Sequence, residues 1–280
     1  MSANQATSDQ KAYVLGHSGA ELGRLEEQSR FYRELTLRFF ADAGVGPGQR
    51  VLDVGCGAGD VSLLASELVG DSGCVIGIDR NAAALDTARA RANATGATNM
   101  KFVEADAGID GGLDVVTDKA FDAIIGRFVL MYLREPAAAL RRVAALAKPN
   151  ATIAFIEMDL LGEAYPGAAP TWMHCLQLIR ETYTKAGLEP LPGLKLYSWY
   201  VAAGLTPRRA QFFGRTEGGP TSPAYGYVEQ TMRSLLPMME RFGVTTAQAL
   251  DVDTIAERMR SETLASGGSL RMPTLGAVST

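Results

Sequence analysis

Between about Gly48 and Asp159 the chain alternates short apolar runs with stretches of helical periodicity, and few architectures accept that order. Residues 51–54, 74–78, 101–103, 121–125 and 152–156 read as strands. Their apolar residues run on without alternation, as in a parallel sheet covered on both faces. The intervening segments are amphipathic. Val61, Leu64, Ala65 and Leu68 share a helical face. Asn81 is placed to cap a helix carrying Leu85, Ala88 and Ala92. Pro136 suits the first position of a helix with Leu140, Val143 and Ala147, and Pro149 is expected to stop it. Strands and helices in this rhythm predict βαβ units and a doubly wound α/β sheet.

The flanks have a different texture. Leu22, Leu25, Tyr32, Leu35 and Phe39 form an apolar stripe, expected on a helical pair before the first strand. Later helices are expected from Thr171, from Ser222-Pro223 with an interruption at Pro237, and after Asp253. Late strands are expected at residues 208–214 and 269–278. These segments read as helical insertions capping a sheet, not as a second domain.

The sharpest motif is Val51-Leu52-Asp53-Val54-Gly55-Cys56-Gly57-Ala58-Gly59-Asp60, where the first strand gives way to the first helix. Glycines there let the backbone turn tightly and let a ligand approach the main chain beside a helix N-terminus. A dinucleotide fingerprint spaces its glycines G-x-G-x-x-G to seat a pyrophosphate. Here the spacing is G-x-G-x-G with Asp53 leading, and a carboxylate aimed into the loop would suit a cationic ligand better than a pyrophosphate.

This loop, followed by Val75-Ile76-Gly77-Ile78-Asp79, Phe102-Val103-Glu104-Ala105-Asp106-Ala107, Phe121-Asp122-Ala123-Ile124-Ile125-Gly126-Arg127 and Lys148-Pro149-Asn150, resembles the class I S-adenosylmethionine-dependent methyltransferases. The motifs span roughly half the chain in the right order, and the flanks look similar to small-molecule members akin to the ubiquinone and menaquinone methyltransferases. The resemblance implies a doubly wound, mostly parallel, seven-stranded Rossmann-like sheet with an N-terminal and an inserted helical cap. It divides the chain into a lid (1–45), a cofactor-binding α/β core (46–160) and a remainder with substrate-cap insertions (161–280).

The implied cofactor is S-adenosyl-L-methionine, released as S-adenosyl-L-homocysteine. Asp53, Gly55 and Gly57 would line its amino-acid portion. Asp79 would accept both ribose hydroxyls, with Arg80 beside it. Asp106 would bind the adenine amino group and the Ala107 amide a ring nitrogen, while Arg127 would offer its main-chain carbonyl to the ammonium. Tyr13, in a stretch resembling a closing segment, would sit near the sulfonium or carboxylate end.

Methyl transfer from a sulfonium is in-line displacement, and positioning alone can lower such a barrier by roughly 7–11 kcal/mol. A general base adds about 3–5 kcal/mol when the acceptor must lose a proton. An obvious base is therefore not required, although His17 and His174, the chain's two histidines, are candidates. Residues 160–245 hold 11 of the 21 aromatics and four methionines, which suits an apolar or aromatic acceptor. Trp172, Met173, Tyr225 and Tyr227 are the expected substrate contacts, against a background in which most such residues simply build the cap's core.

Composition narrows the partners. A formal net charge of −4 argues against binding nucleic acid through phosphate neutralisation. Three scattered cysteines and two histidines offer neither a disulfide framework nor a metal centre. The longest strongly apolar run, residues 128–133, is too short for a bilayer, and the polar N-terminus has no leader pattern, so a cytoplasmic protein is expected. A homodimer through the helical flanks is compatible with the pattern.

Other readings stay open. Gly126-Arg127-Phe128 stands where a base amino-methylating enzyme would carry Pro-Pro-aromatic, and no paired-glutamate loop of the protein-arginine type is present. Glu157 and Asp159 could be imagined in a metal-dependent catechol site. An S-adenosylmethionine-binding scaffold or cyclase that transfers no methyl group, and an NAD-dependent oxidoreductase, remain rivals of another class.

Overall fold

A computed structural model describes residues 19–117, 120–160 and 169–280, with side chains from Glu27 onward. Tyr13 and His17 lie outside the described residues.

Helix α1 (Gly19–Asp42) leads into β1 (Arg50–Val54), α2 (Asp60–Val69), β2 (Cys74–Asp79), α3 (Ala82–Thr95), β3 (Met100–Glu104), β4 (Phe121–Arg127), α4 (Pro136–Ala144) and β5 (Ala147–Asp159). The remainder is α5 (Pro170–Lys185), α6 (Pro192–Ala202), β6 (Arg209–Phe213), β7 (Thr216–Glu217), α7 (Ala224–Arg241), α8 (Ala247–Leu250), α9 (Ile255–Ser266), β8 (Leu270–Arg271) and β9 (Thr274–Ser279).

Seven strands form one sheet in the order β3-β2-β1-β4-β5-β9-β6, while β7 and β8 pair as a separate ribbon. The pairs β1–β2, β1–β4, β2–β3 and β4–β5 are parallel, and β9 runs antiparallel to both its neighbours. The strand order reverses between β1 and β4. In such sheets the crevice at the carboxyl ends of the strands flanking that reversal accepts ligands.

Local chemistry explains most boundaries. The Asn81 side chain accepts the N–H groups of Ala83 (3.0 Å) and Ala84 (3.3 Å), capping α3 as expected. Pro136 opens α4, but that helix ends at Ala144, before Pro149, which lies inside β5. The expected pair at the N-terminus is one continuous helix, α1, which buries Tyr32 and Phe39. Pro237 does not break α7, because buried Met232, Leu235 and Met239 anchor the helix on both sides of it. Residues 269–278 divide into β8 and β9.

Helix α6 has no clear apolar stripe in the sequence, since Leu194, Tyr197 and Val201 face solvent. It is fixed instead by tertiary contacts. Asp159 Oδ1 accepts the N–H groups of Gly193 (2.7 Å) and Leu194 (3.2 Å), supplying a cap from β5.

Two apolar clusters cover the sheet faces. One joins Leu52, Ile76, Ile124 and Phe155 to Leu140 of α4 and Tyr200 of α6. The other joins Val51, Ala123 and Ile125 to α1 and α2, and continues without a break into α5, α7 and α9. The cap thus shares its core with the sheet. Among the described residues no helix is long and apolar enough to cross a membrane.

Candidate functional site

The turn after β1 is built by glycines with left-handed backbones, φ +68° at Gly55, +52° at Gly57 and +85° at Gly59. Gly55 is required twice over, because a Cβ there would stand 2.3 Å from Val129 Cγ2. Asp79, at the end of β2, accepts the Gly57 N–H on Oδ2 and the Asn81 N–H on Oδ1, both at 2.9 Å. One carboxylate therefore holds the glycine loop and the start of α3 together, with further lone pairs on each oxygen.

A cavity of about 320 Å³ lies over this loop. Gly55, Gly57, Asp79, Arg80, Asp106, Ala107 and Arg127 all line it. Asp106 Oδ1 accepts the Gly108 N–H at 2.7 Å, which shapes the turn after β3. A polar, glycine-floored half with carboxylates at the ends of two strands fits a nucleoside carrying a cationic tail.

The cavity continues under the cap, where Met158, Leu160, Trp172, Ile179, Tyr183, Tyr227, Val228 and Met272 form its walls. Trp172 is anchored through its indole N–H to the Arg271 carbonyl at 3.2 Å. Tyr132 and Tyr183 bring their hydroxyls to 3.3 Å on the same wall. This half is apolar with a few phenolic groups.

Not every expected contact is there. Asp53 is fully buried and does not line the cavity: Ser62 donates to its Oδ2 at 2.6 Å, and Oδ1 has no partner. Burial raises its carboxyl to about 7. Met173 and Tyr225 are also off the cavity wall. Met173 packs against the cap core, and the Tyr225 hydroxyl donates to the Gly219 carbonyl at 2.9 Å. His174 is exposed on α5, on the face opposite Trp172, Cys175 and Ile179, because a two-residue step turns a helix by roughly 200°. Trp172 and Tyr227 do reach the cavity.

The carboxylates imagined for a metal site are structural in these surroundings. Asp159 caps α6, while Glu157 Oε1 accepts the N–H groups of Val129 (3.0 Å) and Leu130 (2.7 Å). Glu157 thus shapes the turn after β4 that packs against Gly55. Its Oε2 is buried without a partner, and desolvation raises the carboxyl to about 8.

That shift makes stability fall with rising pH. The folded protein holds a proton to about pH 8, whereas the unfolded group releases it near 4.5. Unfolding free energy should therefore decline between those values, by roughly 3–5 kcal/mol at about 1.4 kcal/mol per unit. Glu157→Gln should flatten this slope and be more stable than wild type at pH 9 relative to pH 6. Urea denaturation at both values measures it, and parallel curves for the two proteins would contradict the assignment.

Comparison with known proteins agrees with this geometry. A family model described as "Methyltransferase domain" matches residues 46–187, just over half the chain. The chain belongs to the methyltransferase family. The aklanonic acid methyltransferase DauC of Streptomyces sp. strain C5 is 30% identical over 153 residues, covering 52% of this chain and 68% of that protein. The ubiquinone/menaquinone C-methyltransferase UbiE of Azotobacter vinelandii strain DJ is 34% identical over 142 residues, covering 49% and 53%. The matched region thus spans about half the length of that quinone methyltransferase. A solved S-adenosylmethionine-dependent methyltransferase from Aquifex aeolicus has the same fold, with TM-score 0.52 and 22% identity over 70% of this chain and 92% of its own. This methyltransferase shares with it the class I arrangement of a mostly parallel seven-stranded sheet flanked by helices.

The sequence reading missed Tyr132, Met158, Tyr183 and Met272 as cavity residues. None stands in a motif. The only available signal was that Tyr132 and Met158 closely follow or end strands, where ligands gather.

Proposed function

We propose that the protein transfers a methyl group from S-adenosyl-L-methionine to a small, flat, largely apolar acceptor carrying oxygen functions. The observation that carries this reading is the continuity of one cavity from the glycine loop, Asp79 and Asp106 to the aromatic wall formed by Trp172, Tyr183 and Tyr227.

Bound S-adenosylmethionine supplies an activated sulfonium methyl group. The chain's own residues bind and orient. Asp79 holds the ribose through charge-assisted hydrogen bonds, and Asp106 and the Ala107 amide select adenine. Trp172, Met158 and Met272 exclude water and clamp the acceptor's faces. The Tyr132–Tyr183 pair, in which one hydroxyl donates to the other, presents its phenolic groups to an acceptor oxygen, fixing which atom faces the methyl group. Alignment of the two reactants is the principal contribution of these residues. The names of UbiE (ubiquinone/menaquinone biosynthesis) and DauC (aklanonic acid) point to the kind of acceptor chemistry that this wall suits.

Calorimetry with S-adenosylhomocysteine, with NAD as control, tests the reading. Micromolar binding of the former alone is expected, followed by methyl transfer to hydroxylated naphthoquinones or anthraquinones. Binding of NAD instead would overturn it. Tight S-adenosylhomocysteine binding with no methylated product from any acceptor pool would favour a non-transferring role.

A further inference from the structure

Arg127 is a buried cation at the end of β4. The residue is only 8% exposed, and it lines the cavity. Nη1 donates to Thr36 Oγ1 at 2.8 Å, and that hydroxyl in turn donates to the Tyr32 carbonyl at 2.8 Å. The guanidinium carbon also stands 5.4 Å from the centre of the Phe128 ring. The side chain is thus held in place from α1 and from its own neighbour.

Among the described residues no carboxylate forms an ion pair with it. Of the two carboxylates that influence it most, Asp60 pairs with Arg91 at 2.7 Å, and Asp53 takes the Ser62 hydroxyl on Oδ2 while its Oδ1 has no hydrogen-bond partner. Burial also pushes the Asp53 carboxyl to about 7, which weakens it as a counter-charge. A desolvated guanidinium remains charged at neutral pH and is unfavourable without a counter-ion. Tyr227, which also influences it, lies on the same wall, so the cation stands where the glycine-loop half of the cavity meets the cap half.

We propose that Arg127 is an anion anchor, whose guanidinium takes a carboxylate from a ligand in the cavity. This rests on the methyltransferase reading. The carboxylate has two possible sources, the amino-acid tail of the S-adenosyl cofactor or an acidic acceptor, and both present the planar pair of oxygens that a guanidinium fork matches. The assignment gives the side chain a role distinct from that of its main-chain carbonyl.

The test is calorimetry on wild type, Arg127→Met and Arg127→Lys. The first arm compares S-adenosylhomocysteine, its decarboxylated analogue and 5′-methylthioadenosine, which lacks the tail. If the tail is the source, wild type should prefer S-adenosylhomocysteine over the decarboxylated analogue by about 30-fold, as a charge-assisted contact provides. Arg127→Met should abolish that preference and Arg127→Lys recover part of it, while 5′-methylthioadenosine binds all three proteins equally. The second arm titrates 2-naphthoate and uncharged 2-naphthamide into protein saturated with S-adenosylhomocysteine. A preference for naphthoate that disappears in Arg127→Met, with the nucleoside ratios unchanged, would assign the anchor to the acceptor. If Arg127→Met keeps the wild-type ratios in both arms, the anchor is refuted. If no adenosyl compound binds wild type, the methyltransferase reading itself fails, a result distinct from unchanged ratios.

Discussion

Asp79→Ala is expected to weaken S-adenosylhomocysteine binding by about 10²–10⁴-fold, the largest loss from any single substitution in the nucleoside half. Two hydrogen bonds to a charged acceptor are removed, each contributing about 1.5–3 kcal/mol. The same carboxylate receives the Gly57 and Asn81 N–H groups, so the loop loses its brace as well as the ribose its partner. Asp79→Asn should fall between wild type and alanine, because an amide retains one accepting oxygen and no charge. Calorimetry gives the affinities, and thermal unfolding of the unliganded proteins separates loss of ligand contacts from loss of fold. Wild-type affinity in the alanine variant would refute the ribose assignment.

Gly276→Ala is expected to be strongly destabilising although it lies away from the cavity wall. A Cβ on Gly276 would stand 2.5 Å from the Cα and 2.7 Å from the carbonyl of Gly193. Gly193 opens α6, and its N–H is held by Asp159, so backbone presses on backbone with no flexible side chain to yield. Overpacking of this kind costs about 3 kcal/mol. For a chain of this size the melting temperature should fall by roughly 6–12 °C. Gly226→Ala is the control: it lies in α7 with nothing within 4 Å of the added carbon, and should be neutral or stabilising by about 0.5–1 kcal/mol. Equal melting temperatures for the two variants would show that α6 can move away from β9.

These cases separate what was legible in the chain from what was not. Asn81 capping α3, Pro136 opening α4 and the glycines after β1 act within a few residues of themselves, so their chemistry can be read in order. Helix α6 could not be read that way, since its cap comes from Asp159 and its exposed face carries Leu194, Tyr197 and Val201. Pro237 misled for a related reason: tertiary packing of Met232, Leu235 and Met239 outweighs the local cost of a proline.

The cavity divides along the same line. Its glycine-loop half is assembled from successive strand–turn–helix units, each ending at the same edge of the sheet. The sequence by itself therefore determined the alternating fold, the glycine loop and the placing of Asp79 and Asp106. Its cap half gathers Tyr132, Met158, Trp172, Tyr183, Tyr227 and Met272, drawn from strand ends, cap helices and a late loop. Which of two near neighbours faces inward, Trp172 or His174, Tyr227 or Tyr225, depends on how each helix rolls against the others. The side chain of Arg127 is held by Thr36 of α1, nearly a hundred residues earlier. Tertiary structure decided these matters, because burial and charge compensation are properties of neighbours in space.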